Sequence, residues 1–540
     1  MRALGERVKL RSRALSVSGE HGHPHIPRTG HAAAALSYHP ASRMEIDVVE
    51  APPGGVEADV LAFAVRDPAE IRGAAEGLDR LVDGRLTALL EAGELTGDEG
   101  HVALLHADGR LAAARVAAVG LGSRALDADR LRTAAARIAA RTLDVGGTSV
   151  AWVVEENGLA AEEQGRALVD GTVLGPYESG RWKTKDERRD GIERLVLCGP
   201  AAGGADEAAR RANVAAAWAN RCRDVVNAPA NELTPQGLAE WAEEIAAGSE
   251  HLRFEALGPE EIRAAGMGAF AAVAQGSDNP PRLITLTYEP PESASADLRV
   301  GLVGKAITFD AGGLSLKPAA RMDEMKSDMG GGGAVLAAMG AIAELGLPVR
   351  ILALVPACEN LPSGHASRPG DIVTSLGGKT IEITNTDAEG RLILADALWY
   401  ARESGATHLL DLATLTGGIV VAMGDLYAGL FGNDDDWCAE VEAAAETSGD
   451  HAWRLPLHER YHRYNASDFA DLKNSSDYRQ ASPILAAAFL ETFAGEGPWA
   501  HLDIAGTAYL ERGRGDYYSR LGATGYGVRL LAELARRLAA

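Results

Sequence analysis

Apolar positions along this chain follow two rhythms, short β-branched or alternating runs and longer stretches at helical spacing, and the two take turns. Asp59–Val65, Val116–Val119, Ser149–Val154 and Leu195–Cys198 read as strands, and Asp127–Leu143 carries Ala, Leu, Ile and Arg at helical spacing. This alternation from Met44 to about Pro200 predicts an α/β domain, placed at residues 44–204. An alanine-rich helix over 205–225 then links it to a second, larger α/β region at 226–540. Its predicted strands are Arg282–Tyr288, Leu298–Val303, Val349–Val355, Thr380–Thr384, Leu409–Leu412 and His501–Ile504, with helices over Gly333–Leu345 and Arg391–Glu403.

One junction between the two rhythms is unusually charged. Lys379-Thr380-Ile381-Glu382-Ile383-Thr384 alternates like a strand, and Leu392, Ile393, Leu394, Ala397, Leu398 and Tyr400 recur like a helix. Between them lies Asn385-Thr386-Asp387-Ala388-Glu389-Gly390-Arg391-Leu392. Strand-to-helix turns are where open α/β sheets place ligands. Side chains two apart on an extended segment share a face, so Asp387 and Glu389 are expected to point together and to suit a divalent cation. Arg391, at the helix start, adds positive charge beside N–H groups that favour an anion. A charged turn with a capped helix is the plainer explanation of the same residues.

Composition narrows the class. The 46% hydrophobic and 24% charged content is that of an ordinary globular protein. A net charge of −23, from 76 acidic and 53 basic residues, opposes binding to nucleic acid or an anionic membrane. Cys198, Cys222, Cys358 and Cys438 form no C-x-x-C pair and read as buried thiols of a reducing compartment. No uninterrupted apolar run approaches membrane-spanning length. Residues 1–43 are basic and acid-poor, with no apolar h-region; an organelle transit peptide would share that composition, but without a sustained helical apolar stripe the segment reads as a disordered tail or as translated sequence upstream of a start at Met44.

Further charged residues border glycines. Val303–Gly313 leaves a strand into a glycine turn and contains Lys305 and Asp310; Lys317 follows, and Met325–Met329, with Asp328, precedes Gly330–Gly333. Charges at the ends of buried strands are costly unless paired or metal-bound. Asp310, Asp328, Asp387 and Glu389 supply four carboxylates from three segments, enough to hold a pair of divalent ions. The glycine run is no phosphate-binding P-loop, since no Gly-Lys-Ser/Thr follows.

These blocks, with Arg223–Pro235, Asp411–Gly417 and Trp499–Gly506, resemble the leucyl (cytosol) aminopeptidase family over residues 220–540, in order and spacing. The resemblance implies a two-metal leucine aminopeptidase with a smaller N-terminal α/β domain and a larger C-terminal α/β catalytic domain whose sheet is mixed and mostly parallel. It implies that Asp310 and Glu389 bridge two divalent ions (manganese or zinc), that Lys305, as a neutral amine, and Asp328 complete one site, and that Asp387 completes the other. Lys317 would stabilise the oxyanion, and Arg391 would hold a bicarbonate acting as general base. Met325, Thr414 and Ala523 match positions lining the pocket for the first side chain; methionine stands at Ala523 in some relatives, so the pocket here would be wider. Relatives also imply a cytoplasmic homohexamer acting on leucine and other apolar residues at the N-terminus of peptides and on amino-acid amides.

Three other readings compete. His458-Glu459-Arg460-Tyr461-His462 fits H-E-x-x-H, the pattern of a single-zinc peptidase, but Arg460 and Arg463 make it a solvated helix start. Gly120–Ala125 fits G-x-G-x-x-A after a strand, a weak sign of dinucleotide binding that a glycine turn explains equally well. A non-catalytic scaffold is opposed by the presence of every matched catalytic residue. No G-x-S-x-G elbow occurs, and Cys358 reads as a packing residue.

Overall fold

The computed structural model describes residues 43–184, 191–291, 294–295, 297–478 and 480–539, so the tail reading of 1–43 falls, apart from Arg43, outside the described residues. In the N-terminal domain six strands form one sheet: β1 (Glu45–Val49), β2 (Val60–Val65), β3 (Val102–His106), β4 (Arg115–Gly120), β5 (Ser149–Val153) and β6 (Arg194–Cys198). Their order is β1-β6-β5-β2-β4-β3, parallel throughout except for β3 against β4. The four central strands fall on the predicted apolar runs. The two edge strands were not predicted, because β1 buries only Ile46 and β3 only Leu105, leaving no sustained pattern. The helix Ala128–Asp144 packs on this sheet, its first turn capped by the Asp127 carboxylate accepting from the Arg130 N–H at 2.9 Å.

The G-x-G-x-x-A stretch is a turn. Gly122 takes φ +74°, the helix starts only at Ala128, and the Arg66 guanidinium donates to the Ser123 and Arg124 carbonyls at 3.4 and 2.9 Å. The long helix Asp206–Asn227 packs on the helix Ala161–Leu174 of the first domain and on the helix Gly330–Leu345 of the second.

The catalytic-domain sheet has nine strands. These are β7 (Leu252–Leu257), β8 (Arg282–Tyr288), β9 (Arg299–Gly304), β10 (Ala306–Asp310), β11 (Arg350–Asn360), β14 (His408–Ala413), β15 (Ala428–Gly432), β16 (Ala452–Arg454) and β18 (Trp499–Asp503). The order is β16-β15-β18-β14-β9-β11-β8-β7, with β10 also on β11. Pairs β10–β11, β11–β9, β14–β18, β14–β9 and β15–β16 are parallel; β11–β8, β15–β18 and β7–β8 are antiparallel. The sheet is thus mixed and mostly parallel.

Three departures from the sequence reading shape the site. Between the predicted strand end at Val303 and the expected glycine turn, where Gly312 and Gly313 take φ +87° and +63°, the chain steps aside at Lys305 and forms an unpredicted strand, β10, in register with the far end of a β11 that runs on to Asn360. The predicted strand Thr380–Thr384 shrinks to β13 (Thr380–Glu382), in a separate small sheet between β12 (Ile372–Thr374) and β17 (Leu472–Lys473). Finally, the four glycines Gly330–Gly333 lie inside the helix Gly330–Leu345 instead of before it. They let its first turn lie on the strands. A Cβ on Gly332 would come within 2.7 Å of Ala306 Cβ and Val355 Cγ1, and one on Gly331 would collide with the Leu412 carbonyl.

Candidate active site

Each charged residue of the site owes its position to a chain break. Lys305 sits between β9 and β10, its N–H donating to the Leu412 carbonyl at 3.0 Å and its carbonyl accepting from Gly332 N–H at 2.7 Å. Asp310 ends β10, Asp328 ends the 3-10 turn Met322–Ser327, and Glu389 precedes the helix Gly390–Glu403. Asp387 stands in the turn before it. The acidic pair does not meet along an extended segment as expected: Glu389 is already helical (φ −73°, ψ −35°), and the turn itself brings it to Asp387.

Asp310, Asp387 and Glu389 offer oxygens that all lie within 4.8 Å of one another. Two ammonium groups divide this cluster. Lys305 Nζ lies 2.9 Å from Asp328 Oδ2 and 2.8 Å from Glu389 Oε1; Lys317 Nζ lies 2.8 Å from Asp310 Oδ2 and 2.6 Å from Asp387 Oδ1. The heart of this cluster is out of water, with Lys305, Asp310 and Glu389 each 2% exposed, while the side chains of Lys317 and Asp387 stand at its solvent edge. Burial, with Glu389 nearby, pushes Asp310 up to about 6 against the pull of Lys317 and Lys305. Asp328 and Asp387 are likewise raised, chiefly by burial. Burial also works to raise Glu389, but Lys305 and Lys317 outweigh it and hold its pKa down. Burial alone would lower Lys305, yet Asp328, Glu389 and Asp310 outweigh it. With Asp328, Glu389 and the Thr414 carbonyl around its Nζ, Lys305 is held towards the ammonium form; the neutral amine implied by the family resemblance requires further positive charge among the acids.

The donor set fits such charge. Four carboxylates face two lysines, leaving two negative charges in excess. Among the described residues, Asp328 Oδ2 and Asp387 Oδ1 are shielded from solvent with no aligned hydrogen-bond donor, despite the nearby ammonium groups. Oxygen-rich clusters of this kind suit hard divalent cations, and buried carboxylates left unneutralised are costly.

Residues that sequence reasoning passed over hold the acids in place. Asn360 Nδ2 donates to Asp310 Oδ1 at 2.8 Å, to the Thr386 carbonyl at 3.0 Å and to Glu389 Oε2 at 3.3 Å. The only sequence signal was a polar end to the apolar run Ile351–Cys358. Asn474, fully buried, binds the turn 384–389 that carries Asp387 and Glu389 (the signature turn) from outside and accepts Arg391 Nη1 on its carbonyl at 2.7 Å. Nothing in the pattern around it pointed there. Arg391 is buried, its Nε has no partner among the described residues, and burial lowers its pKa to about 10.

The three pocket candidates lie on three separate segments. Thr414 Oγ1 donates to Asp328 Oδ1 at 2.7 Å, and Lys305 Nζ donates to the Thr414 carbonyl at 2.9 Å. Met325 belongs to the 3-10 turn that Asp328 closes. Ala523 lies in a two-residue ribbon, Gly522–Ala523, paired with Tyr509–Leu510; Ala508 at its edge and Thr414 both flank Gly330.

The rival metal motif does not form. His458 caps the 3-10 helix Glu459–Asn465 with its ring accepting from Arg460 N–H, while His462 bonds Glu491 at 2.8 Å. A 3-10 helix does not bring residues four apart onto one face. Cys358 is buried with its thiol raised by burial, a packing residue.

A two-domain α/β enzyme with a buried lysine–carboxylate cluster at the ends of its catalytic sheet belongs among the metal-dependent hydrolases. The cytosol aminopeptidase family matches through its catalytic domain over residues 220–532 and through its N-terminal domain over 60–186. A probable cytosol aminopeptidase of Solibacter usitatus is 43% identical over 495 residues, covering 91% of this chain and 99% of that protein. Another, from Azotobacter vinelandii, is 41% identical over 496 residues, with 91% and 98% covered. Among solved structures, a mutant of tomato leucine aminopeptidase superimposes with TM-score 0.82 at 34% identity, covering 92% of this chain and 97% of that one. The bottromycin maturation enzyme BotP in complex with manganese gives TM-score 0.77 at 37% identity, covering 89% and 100%. The chain belongs to the cytosol aminopeptidase family and is a metal-dependent aminopeptidase.

Proposed function

We propose that this enzyme releases N-terminal residues, leucine and other apolar ones foremost, from peptides and amino-acid amides using two divalent ions, manganese or zinc. Lys305, Asp310, Asp328, Asp387 and Glu389 would hold them: Asp310 and Glu389 shared, Lys305 and Asp328 on one ion, Asp387 on the other. The observation that carries this reading is the meeting of Asp310, Asp387 and Glu389 within 4.8 Å, with Asp328 joined to Glu389 through Lys305. The manganese in the BotP structure supports that metal as one choice.

When bound, the ions supply Lewis acidity and bring the pKa of water close to neutral. The chain does the rest. Asn360 fixes the rotamers of Asp310 and Glu389, and Thr414 fixes Asp328. Lys317, 21% exposed at its side chain, presents an ammonium that can meet negative charge developing on a scissile carbonyl oxygen. Arg391, anchored by Asn474, would hold a bicarbonate, which would supply a general base at that place. Met325, Thr414 and Ala523 would border the first side chain of the substrate. Domain limits of 44–204, 205–225 and 226–540, a homohexamer and a cytoplasmic site complete the proposal, without a nucleic-acid partner. Among the described residues no helix is long and apolar enough to cross a membrane, and all four cysteines are buried and free, which suits a reducing compartment.

The test uses chelator-stripped enzyme with leucinamide and N-acetyl-leucinamide while manganese or zinc is added back. Activity on the free amine should return and saturate at about two ions per chain, as a two-metal site requires. Equal cleavage of the blocked amide, or full activity without metal, would overturn the reading.

A further inference from the structure

The helix Asp206–Asn227 ends in a group of buried polar side chains whose reach is unusually long. Arg223 is 4% exposed, with its guanidinium carbon 3.8 Å above the Tyr177 ring centroid and 5.4 Å from that of Tyr518. Its Nε donates to the Ala523 carbonyl at 2.9 Å, and its Nη1 to the Leu174 carbonyl at 2.9 Å. One turn on, Asn227 Oδ1 accepts from Ala523 N–H at 3.0 Å, while its Nδ2 donates to the Tyr177 hydroxyl at 3.2 Å. Both main-chain polar groups of Ala523 are therefore held by side chains of one helix. The preceding Gly522 takes φ +110°, and a Cβ there would sit 2.8 Å from Asn227 Oδ1, so this close approach needs glycine.

A two-residue ribbon cannot fix its own position; it has too few ladder hydrogen bonds. Here the position is supplied from outside, and the support runs further back. Leu174, the other carbonyl held by Arg223, closes the helix Ala161–Leu174 of the N-terminal domain. Asn220 Nδ2 adds a bond to the Val173 carbonyl at 3.0 Å. We propose that Arg223 and Asn227 are positioning residues for side-chain specificity, setting how far the Ala523 ribbon stands from the substrate's first side chain. Through them the N-terminal domain bears on which residue is released. This rests on the reading of Ala523 as a wall of that pocket.

The chemistry itself lies elsewhere, so the two residues should move selectivity and leave turnover alone. The experiment compares alaninamide, leucinamide and phenylalaninamide as substrates of the full-length, metal-loaded enzyme. Asn227→Ala and Arg223→Lys should change the leucinamide-to-alaninamide ratio of kcat/KM about tenfold, through KM, with kcat within about threefold. A purely structural role would lower all three substrates in parallel and leave the ratio unmoved, which would overturn the proposal. Tyr177→Phe removes the hydroxyl that accepts from Asn227 and donates to Asp224 Oδ1 at 2.8 Å, keeps the ring under Arg223, and should shift the ratio in the same direction by a smaller factor. It carries the test if the other two variants do not fold. Ala523→Leu separates the two layers: a changed ratio there with none in the Arg223, Asn227 and Tyr177 variants refutes the positioning role alone. No change in Ala523→Leu refutes the pocket assignment and this inference with it.

Discussion

Asn474→Ala should loosen the signature turn while leaving every charged residue of the site in the chain. The Asn474 side chain makes four bonds to the main chain of that turn. Nδ2 donates to the carbonyls of Asn385 at 2.7 Å and Ala388 at 3.2 Å; Oδ1 accepts from the N–H groups of Thr384 at 2.9 Å and Asn385 at 3.3 Å. Each neutral buried bond contributes about 1 kcal/mol net, so truncation should lower local stability by about 4 kcal/mol. At 1.4 kcal/mol per decade, that corresponds to amide exchange in the turn up to about a thousandfold faster. Hydrogen-exchange mass spectrometry of peptides spanning 384–389 reads this directly. Because a displacement of about 1 Å in catalytic groups can cost a factor of about 100, kcat/KM on leucinamide should fall by roughly that much. Asn474→Asp sets a buried carboxylate oxygen against the Asn385 and Ala388 carbonyls, so it should be at least as damaging as the alanine variant. Exchange and kcat/KM both within about threefold of wild type in Asn474→Ala would refute the argument, because the turn would then hold its shape without outside support.

Other consequences are simpler to state. Asp328→Ala should abolish peptidase activity, whereas His458→Ala combined with His462→Ala should leave kcat/KM within about twofold, since their bonds, to Arg460 N–H and to Glu491, lie outside the carboxylate cluster; the reverse pattern would revive the single-zinc reading. Asp396, fully buried on the signature helix, accepts from Phe270 N–H at 2.8 Å and Leu376 N–H at 2.7 Å, and burial raises it to about 6. A carboxyl raised on folding stabilises the fold at low pH, and that contribution is lost as pH climbs from about 4 through about 6, amounting to about 3 kcal/mol by neutrality. The stability difference between wild type and Asp396→Asn, followed by denaturant titration, should therefore shift over that window and stay flat above about pH 7. Gly331→Ala should destabilise by about 2 kcal/mol or more despite roughly 1 kcal/mol gained in helix propensity, because its methyl meets the Leu412 carbonyl that Lys305 also uses; a more stable variant in thermal melts would contradict the packing account.

What could and could not be read from the sequence divides along one physical line. Asp310, Asp387, Glu389 and Lys305 stood out because a charge bordering an apolar strand has no cheap local explanation, so its residue type alone announces a distant partner. Asn360 and Asn474 are as deeply involved, yet an amide can be satisfied by its own turn or a neighbouring loop, and its presence announces nothing. Their partners lie far along the chain, with 50 residues between Asn360 and Asp310 and 86 between Asn474 and Ala388, so no periodicity could reach them. The same line separates the strands. The buried centre of the first sheet wrote itself as apolar runs, while β1 and β3, half-exposed edges, had no such constraint on composition; in the catalytic sheet β10 and β15, buried but only five residues each, went unpredicted. The glycines of Gly330–Gly333 were visible as a run but misplaced, because helix propensity argues against them and only the strands beneath explain why side chains are excluded there. The charges of the site were thus legible as demands. The amides and glycines that meet those demands are legible only once the fold has put them within reach.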